Sequence, residues 1–405
     1  MRKLSTLAGR AIANTLLVCA SLLVGYVAIE YAVFRIMLPV MPLDIHASLP
    51  AVADVLMQTS KSNYLPQDYI ALLGDSYAEG YGDWLLQVGS KRRGPFHSAD
   101  IIHQQTGRDV VSFGIGGAGS AEAMVLRPAA VFPSSSCSVY PAIDPPRQMF
   151  VYFYEGNDIE DNLDLIGKVN ERYGSTDSQA IDRYLNEQYA GWPSLNCHAQ
   201  FGQMLFKQAE FMSQYYITGY HVTYCGAPFP SRNHIVVADQ TIETPALQGA
   251  SPHLSDENIR LGMDVFARSL AWLRQHLPQV PITMVYVPSP LTIYHHAGDT
   301  ISFCSPYTGG LVAKAISERH HDLIRDMVAS ISAAERVDFV DATPALRDAA
   351  ETRVIHGPRD WDHLNKTGYE VLGKLVATEL QRSLEVERQR PSTHYITTGA
   401  SGSSL

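Results

Sequence analysis

Short apolar runs that each stop at a turn, with amphipathic helical patterns between them, constrain this chain more than any other feature. One run covers residues 68–73 and is broken by Gly74 and Asp75; a second, over 109–113, enters the glycine-rich stretch Gly114-Ile115-Gly116-Gly117-Ala118-Gly119. Further runs cover 148–154, 282–287 and 337–340. Their length, flanking turn residues and content of Val, Ile and Tyr read as strands. Between them lie helical patterns. Residues 98–105 form one that stops at Gly107, and another opens near Ser120. Ile259, Met263, Phe266, Leu270 and Leu273 recur at steps of three and four, with Ser255 placed as the N-cap. Residues 312–331 and 367–384 repeat the pattern. Strands that alternate with helices need crossover connections, so they pair in parallel. The expected fold is a layered α/β domain whose sheet is covered on both faces.

The N-terminus adds a second element. Arg2, Lys3 and Arg10 precede residues 11–29, an apolar stretch without charge that continues, with one Glu, to Phe34. As a helix it measures about 28 Å, close to the thickness of a bilayer's hydrocarbon core. Cations on its N-terminal side place that end in the cytoplasm and the remainder outside. A cleaved signal peptide fits less well, because the apolar region is long and no small-x-small site follows it. Leu17-Val18-Cys19 has Val where a lipoprotein site takes a small residue. Residues 1–37 are therefore read as a cytoplasmic N-terminus and transmembrane anchor, and 38–67 as a juxtamembrane linker with little periodic pattern. Residues 68–385 form the main domain. Within it, about 159–254 is rich in Tyr, Gln, His and Pro and breaks the strand–helix rhythm, so it is read as an insertion that walls the site. Residues 386–405, polar and ending in Gly, Ser and Thr, are expected to be a flexible tail.

Composition narrows the function classes. The chain has 405 residues, 46% hydrophobic and 18% charged, with a formal net charge of -10. That balance belongs to a globular protein and excludes a nucleic-acid partner, which needs a basic face. Beyond the anchor lie Cys137, Cys197, Cys225 and Cys304, none in a CxxC pair, which argues against zinc and thioredoxin-like chemistry. In an exported chain they favour at least one disulfide, with three pairings open. For the same reason a Cys nucleophile such as Cys225 is disfavoured. The pairs His295-His296 and His320-His321 lack carboxylates at metal-ligand spacing and read as solvated surface histidines, so no metal and no cofactor are expected. Nothing in the sequence sets an oligomeric state.

The residues that carry chemistry sit at strand ends, where ligands gather in open α/β sheets. Gly74-Asp75-Ser76-Tyr77 places a hydroxyl at the first. A serine becomes a nucleophile only when a base takes its proton. The base is found in Asp360-Trp361-Asp362-His363-Leu364-Asn365. His363 titrates near neutral pH, and Asp360, three residues earlier, can fix its tautomer, with Asp362 as the alternative. Asn365 is placed to cap the final helix. Donors for a developing oxyanion are Gly117 in the glycine-rich turn and Asn157 in Glu155-Gly156-Asn157-Asp158.

Taken one at a time, these motifs are ordinary turns and polar loops. In order, a strand-Ser, a strand-Gly, a strand-Asn and a late Asp-x-x-His resemble the GDSL/SGNH hydrolase superfamily over roughly residues 69–384. The resemblance implies a flavodoxin-like three-layer α/β/α fold with a central parallel sheet. It also implies Ser76 as nucleophile and N–H donor, Gly117 and Asn157 as further oxyanion donors, and His363 with Asp360 as base pair. Two positions depart from the family pattern: Tyr77 replaces Leu, and Glu155 stands where a Gly is common. The α/β-hydrolase elbow Gly-x-Ser-x-Gly fails at Ala78.

The implied activity is ester hydrolysis or acyl transfer outside the cytoplasm through an acyl-Ser76 intermediate. The expected substrate is an ester-bearing glycan or glycolipid of the envelope. A lysophospholipase- or thioesterase-type lipid hydrolase is the alternative, and a non-catalytic envelope scaffold is the reading from a different class. The single sequon, Asn365-Lys366-Thr367, would put a glycan beside His363, which favours a bacterial periplasmic face.

Overall fold

A computed structural model describes residues 2–37, 54–55, 68–82, 97–134, 143–190, 201–206, 209, 213, 232–305 and 308–389. Helix α1 (Arg2–Ala32) ends in a π-helical turn over Val33–Met37. Within α1, Ile12–Ala32 has a mean hydropathy of 2.1 and leaves Leu16, Leu17, Leu22 and Leu23 exposed. It is long and apolar enough to cross a membrane or to serve as a signal sequence.

The body follows in the order β1 (Ile70–Leu73), α2 (Ser76–Glu79), α3 (Ser98–Thr106), β2 (Val110–Ser112), a π-helical turn Glu122–Leu126, α4 (Arg127–Ser134) and β3 (Gln148–Tyr154). Next come α5 (Asp158–Tyr173), α6 (Ser178–Ala190), the hairpin β4 (Asn233–Val237) and β5 (Gln240–Thr244), α7 (Asp256–His276) and β6 (Ile282–Val287). The chain closes with α8 (Pro290–Ile293), β7 (His295–His296), β8 (Thr300–Cys304), β9 (Gly309–Ala313), α9 (Lys314–Ala334), β10 (Asp338–Asp341), α10 (Thr343–Thr352) and α11 (Lys366–Gln389).

The main sheet has five strands in the order β10-β6-β3-β1-β2, every pair parallel. Counting only these strands, the order is 2-1-3-4-5, the flavodoxin-like winding in which the chain reverses direction between β1 and β3. Period-two alternation divides the core. Ala71, Leu73, Met149, Val151, Phe153, Met284 and Tyr286 face one side, where Ile259, Met263, Phe266 and Leu270 of α7 cover them with Ile324 and Val328 of α9. Ile70, Leu72, Phe150, Tyr152, Val285 and Val287 face the other, under Tyr369, Leu372, Val376 and Leu380 of α11 with α3 and α10. The three-layer α/β/α expectation holds.

Several local expectations are corrected. The helix expected over 312–331 begins at Lys314, because Val312 and Ala313 complete β9, antiparallel to β8; their alternation belongs to a hairpin, not to the helix behind it. Residues 386–389, assigned to the tail, continue α11. The start of the supposed site-walling insertion is part of the layers, since Leu165, Ile166, Val169, Ile181 and Leu185 of α5 and α6 pack with Val265 and Trp272 of α7. In the linker, Asp54 and Val55 are buried, and Asp54 pairs with Arg127, which also donates to Gly114 O at 3.2 Å. Cys304 is disulfide-bonded, while Cys137, Cys197 and Cys225 lie outside the described residues.

Candidate active site

The carboxyl ends of β1, β2 and β3 meet at the reversal point, where a bound ligand is expected. Past β1, Asp75 caps the short helix α2 by accepting the Tyr77 N–H at 2.9 Å. This presents Ser76 at the first helical position, where the backbone N–H has no partner within the helix. The glycine turn is held against the same helix. A Cβ on Gly114 would lie 2.2 Å from Glu79 N, so only glycine permits the approach, and Ser112 Oγ donates to Ala78 O at 2.7 Å. Gly117 is exposed at a φ of +71°, with nothing within 4 Å of where a Cβ would project.

His363 arrives from the loop before α11. Its Nε2 lies 2.8 Å from Ser76 Oγ and its Nδ1 lies 2.7 Å from Asp360 Oδ2. Asp360 Oδ1 accepts the backbone N–H groups of Asp362 and His363 at 3.1 and 3.2 Å, so one carboxylate fixes both the loop and the ring. Burial disfavours the imidazolium, but the charge and hydrogen bond of Asp360 outweigh it and hold His363 above its usual 6.5. Burial works against the Asp360 carboxylate as well, yet His363 and the backbone donors keep it below the ordinary aspartate value.

Asp362, the alternative partner, instead offers its backbone carbonyl to Tyr77 Oη at 2.7 Å. Burial pushes its own carboxyl up to about 7, against the pull of His363. Asn365 accepts the N–H groups of Thr367 and Gly368 at 2.9 and 3.2 Å and donates to Val354 O and His356 O, so its amide is committed to the fold.

At the end of β3, Asn157 occupies the position before α5 without capping it. It is buried, and its Oδ1 has no hydrogen-bond partner among the described residues. The orphaned atom is an acceptor, whereas an oxyanion is met by the Nδ2 donors of an amide. Two residues earlier a buried carboxylate holds the end of β3. Glu155, fully buried, accepts from Ser289 N at 2.8 Å, Ser289 Oγ at 2.6 Å and His321 Nδ1 at 2.6 Å, and also from Tyr286 and Thr292. Burial alone would raise its pKa, but His321 and the hydroxyl donors bring it down to about 2.

His321 is thus no surface residue. His320, which bonds Ser251 O, and His296, which bonds Leu291 O, are buried too; of the four histidines expected at the surface, only His295 is exposed. No cluster suited to a metal occurs among the described residues. Glu155→Ala is expected to lower unfolding free energy by about 3–5 kcal/mol, because it strands a buried partner. Chemical denaturation measures this, and a loss below about 1 kcal/mol would mean that the network carries no load.

Sequence reasoning gave no role to three neighbours of the site. Tyr77 stacks on Tyr154 at 4.1 Å and packs on His363 at 5.6 Å, while Tyr154 Oη donates to Gln248 Oε1 at 2.7 Å. Tyr77 stood out only by its adjacency to Ser76 and by replacing the Leu of the resembled pattern; Tyr154 was read only as a strand end, and Gln248 had no signal.

No family model and no curated protein sequence matches this chain. Among solved structures it is similar to a G-D-S-L family protein from Desulfitobacterium hafniense DCB-2, with 9% identity, TM-score 0.35, and coverage of 77% of this chain and 99% of that one. It is also similar to a phospholipase A1 from Streptomyces albidoflavus NA297 (12% identity, TM-score 0.35, 78% and 99%) and to an extracellular lipase from Streptomyces rimosus (13% identity, TM-score 0.36, 78% and 99%).

Proposed function

We propose that the chain is a serine ester hydrolase or O-acyltransferase that works through an acyl-Ser76 intermediate. The observation that carries this reading is the continuous hydrogen-bonded path Ser76–His363–Asp360. With the Nδ1 proton held by Asp360, Nε2 takes the Ser76 proton as Oγ attacks the ester carbonyl. The tetrahedral oxyanion is met by the N–H groups of Ser76 and Gly117 and by the Asn157 amide. Collapse expels the alcohol, which receives the proton from His363. A second hydroxyl, from water or an acceptor alcohol, then repeats the sequence in reverse and frees Ser76.

The expected substrate is an O-acyl, in particular O-acetyl, ester on an envelope glycan or glycolipid. Two features support a location outside the cytoplasm: the apolar helix behind Arg2, Lys3 and Arg10, and the disulfide at Cys304, which needs an oxidising compartment. The committed Asn365 amide argues against glycosylation there.

The deciding experiment exposes purified protein to native envelope extract and reads the mass trapped on Ser76. An acetyl increment supports the glycan ester, a long-chain acyl increment moves the substrate to a lipid, and no adduct with glycan binding intact favours a scaffold. Asn157→Ala is expected to lower kcat by about 10²–10³, roughly 3–4 kcal/mol. Turnover within about a factor of two of the parent removes Asn157 from the oxyanion site.

A further inference from the structure

We infer that the catalytic body does not hang from α1 on a free tether but is seated in the outer leaflet of the bilayer, with helical residues 201–206 as a second membrane-contact element. This rests on reading α1 as an uncleaved span. One stripe of the helix, spaced at four and three residues, docks on the body. Tyr26 accepts the Gly202 N–H at 3.2 Å and meets the Phe201 ring edge-on at 6.4 Å; Glu30 is buried and hydrogen-bonded to Tyr26; Val33 enters the main core cluster. On either side of this stripe, Val27 and Ile29 leave apolar side chains exposed.

Length then decides the depth. The full apolar segment Ile12–Ala32 reaches about 31 Å at about 1.5 Å per residue, which matches a hydrocarbon core of about 30 Å. Residues 12–25, ahead of the docked stripe, reach only about 21 Å. The two docked turns must therefore lie within the membrane, and what is packed on them lies at that depth too. The 201–206 segment fits this place. Phe201 and Met204 pack inward on the core, whereas Leu205 and Phe206 point outward, 52% and 72% exposed. On a surface in water such a pair would be an unpaired apolar patch; beside the span it meets acyl chains. Glu30, a costly residue in a span, is accommodated because it faces protein instead of lipid.

The test uses the full chain in phosphatidylcholine vesicles whose acyl chains carry bromine either near the carbonyl or near the methyl end. Phe206→Trp and, as a second reporter, Leu205→Trp are compared with Leu22→Trp at mid-span, each after subtraction of the parent's own tryptophans. The expected result is that Leu22→Trp is quenched best by deep bromine. The 205 and 206 reporters should lose most of their added emission to shallow bromine and shift to the blue. Quenching at 22 with none at 205 or 206 overturns the seat and leaves the span standing. Absence of quenching at all three overturns the span, and the seat with it.

Discussion

Ser76→Ala is expected to abolish labelling by a fluorophosphonate probe and to lower kcat on an activated ester by about 10⁶, as loss of the nucleophile does in serine enzymes whose triad acts as a unit. The folded state should be spared. Among the described residues the Ser76 hydroxyl hydrogen-bonds to the His363 imidazole and, at 3.4 Å, to Asp75. The cap that holds α2 runs from Asp75 to the Tyr77 N–H and does not involve Ser76 Oγ. The backbone N–H at position 76 and the oxyanion donors proposed at Gly117 and Asn157 are untouched by the substitution, so a residual rate above the uncatalysed one is expected alongside the lost label. Intact-protein mass spectrometry with circular dichroism separates the outcomes. Equal labelling of parent and variant would place the reactive group elsewhere.

Residues 287 positions apart meet at that hydrogen bond, and the sequence made the meeting legible for a physical reason. Parallel strands force every β-to-α turn onto one edge of the sheet, so the turns carrying Ser76, Gly117 and Asn157 had to gather there once the strands were recognised. Local periodicity sufficed for β3 and β6, whose bounds agree with the sequence reading. It was ambiguous at Val312, where a two-residue and a 3.6-residue period overlap. It was silent on the supports. Glu155 could be seen only as a departure, because its partners Tyr286, Ser289, Thr292 and His321 come from three other elements. An adjacent histidine pair on a helix gives no sign that both rings are buried, and one turned toward a carboxylate that no spacing rule connects to it. The same holds for Tyr77, whose partner carbonyl at Asp362 is 285 residues away. Side-chain networks behind a site are set by tertiary register, which a strand–helix pattern leaves open.

Asp360→Asn carries the second large effect, a fall in kcat of about 10⁴. An amide in place of the carboxylate can still occupy the site and accept the Asp362 and His363 backbone N–H groups through its oxygen. It can also donate to Nδ1, which would place the imidazole proton on Nε2 and point a donor, not an acceptor, at Ser76. The pH dependence distinguishes this from simple damage to the loop. His363 serves as base only when neutral, so parental kcat/KM should fall as pH drops through the His363 pKa, which lies above 6.5. Burial opposes protonation of His363 and Asp360 is the largest influence favouring it, so removing the carboxylate leaves burial dominant. The acidic limb of Asp360→Asn should therefore move to lower pH, and the deficit relative to the parent should shrink between pH 7 and the acid side. A variant that loses about 10⁴ with its acidic limb unmoved would mean that Asp360 holds the loop without setting the charge of the base. A variant with near-parental turnover would pass the role to Asp362, whose carboxyl, raised to about 7, is with Asp75 one of the further acids that His363 feels.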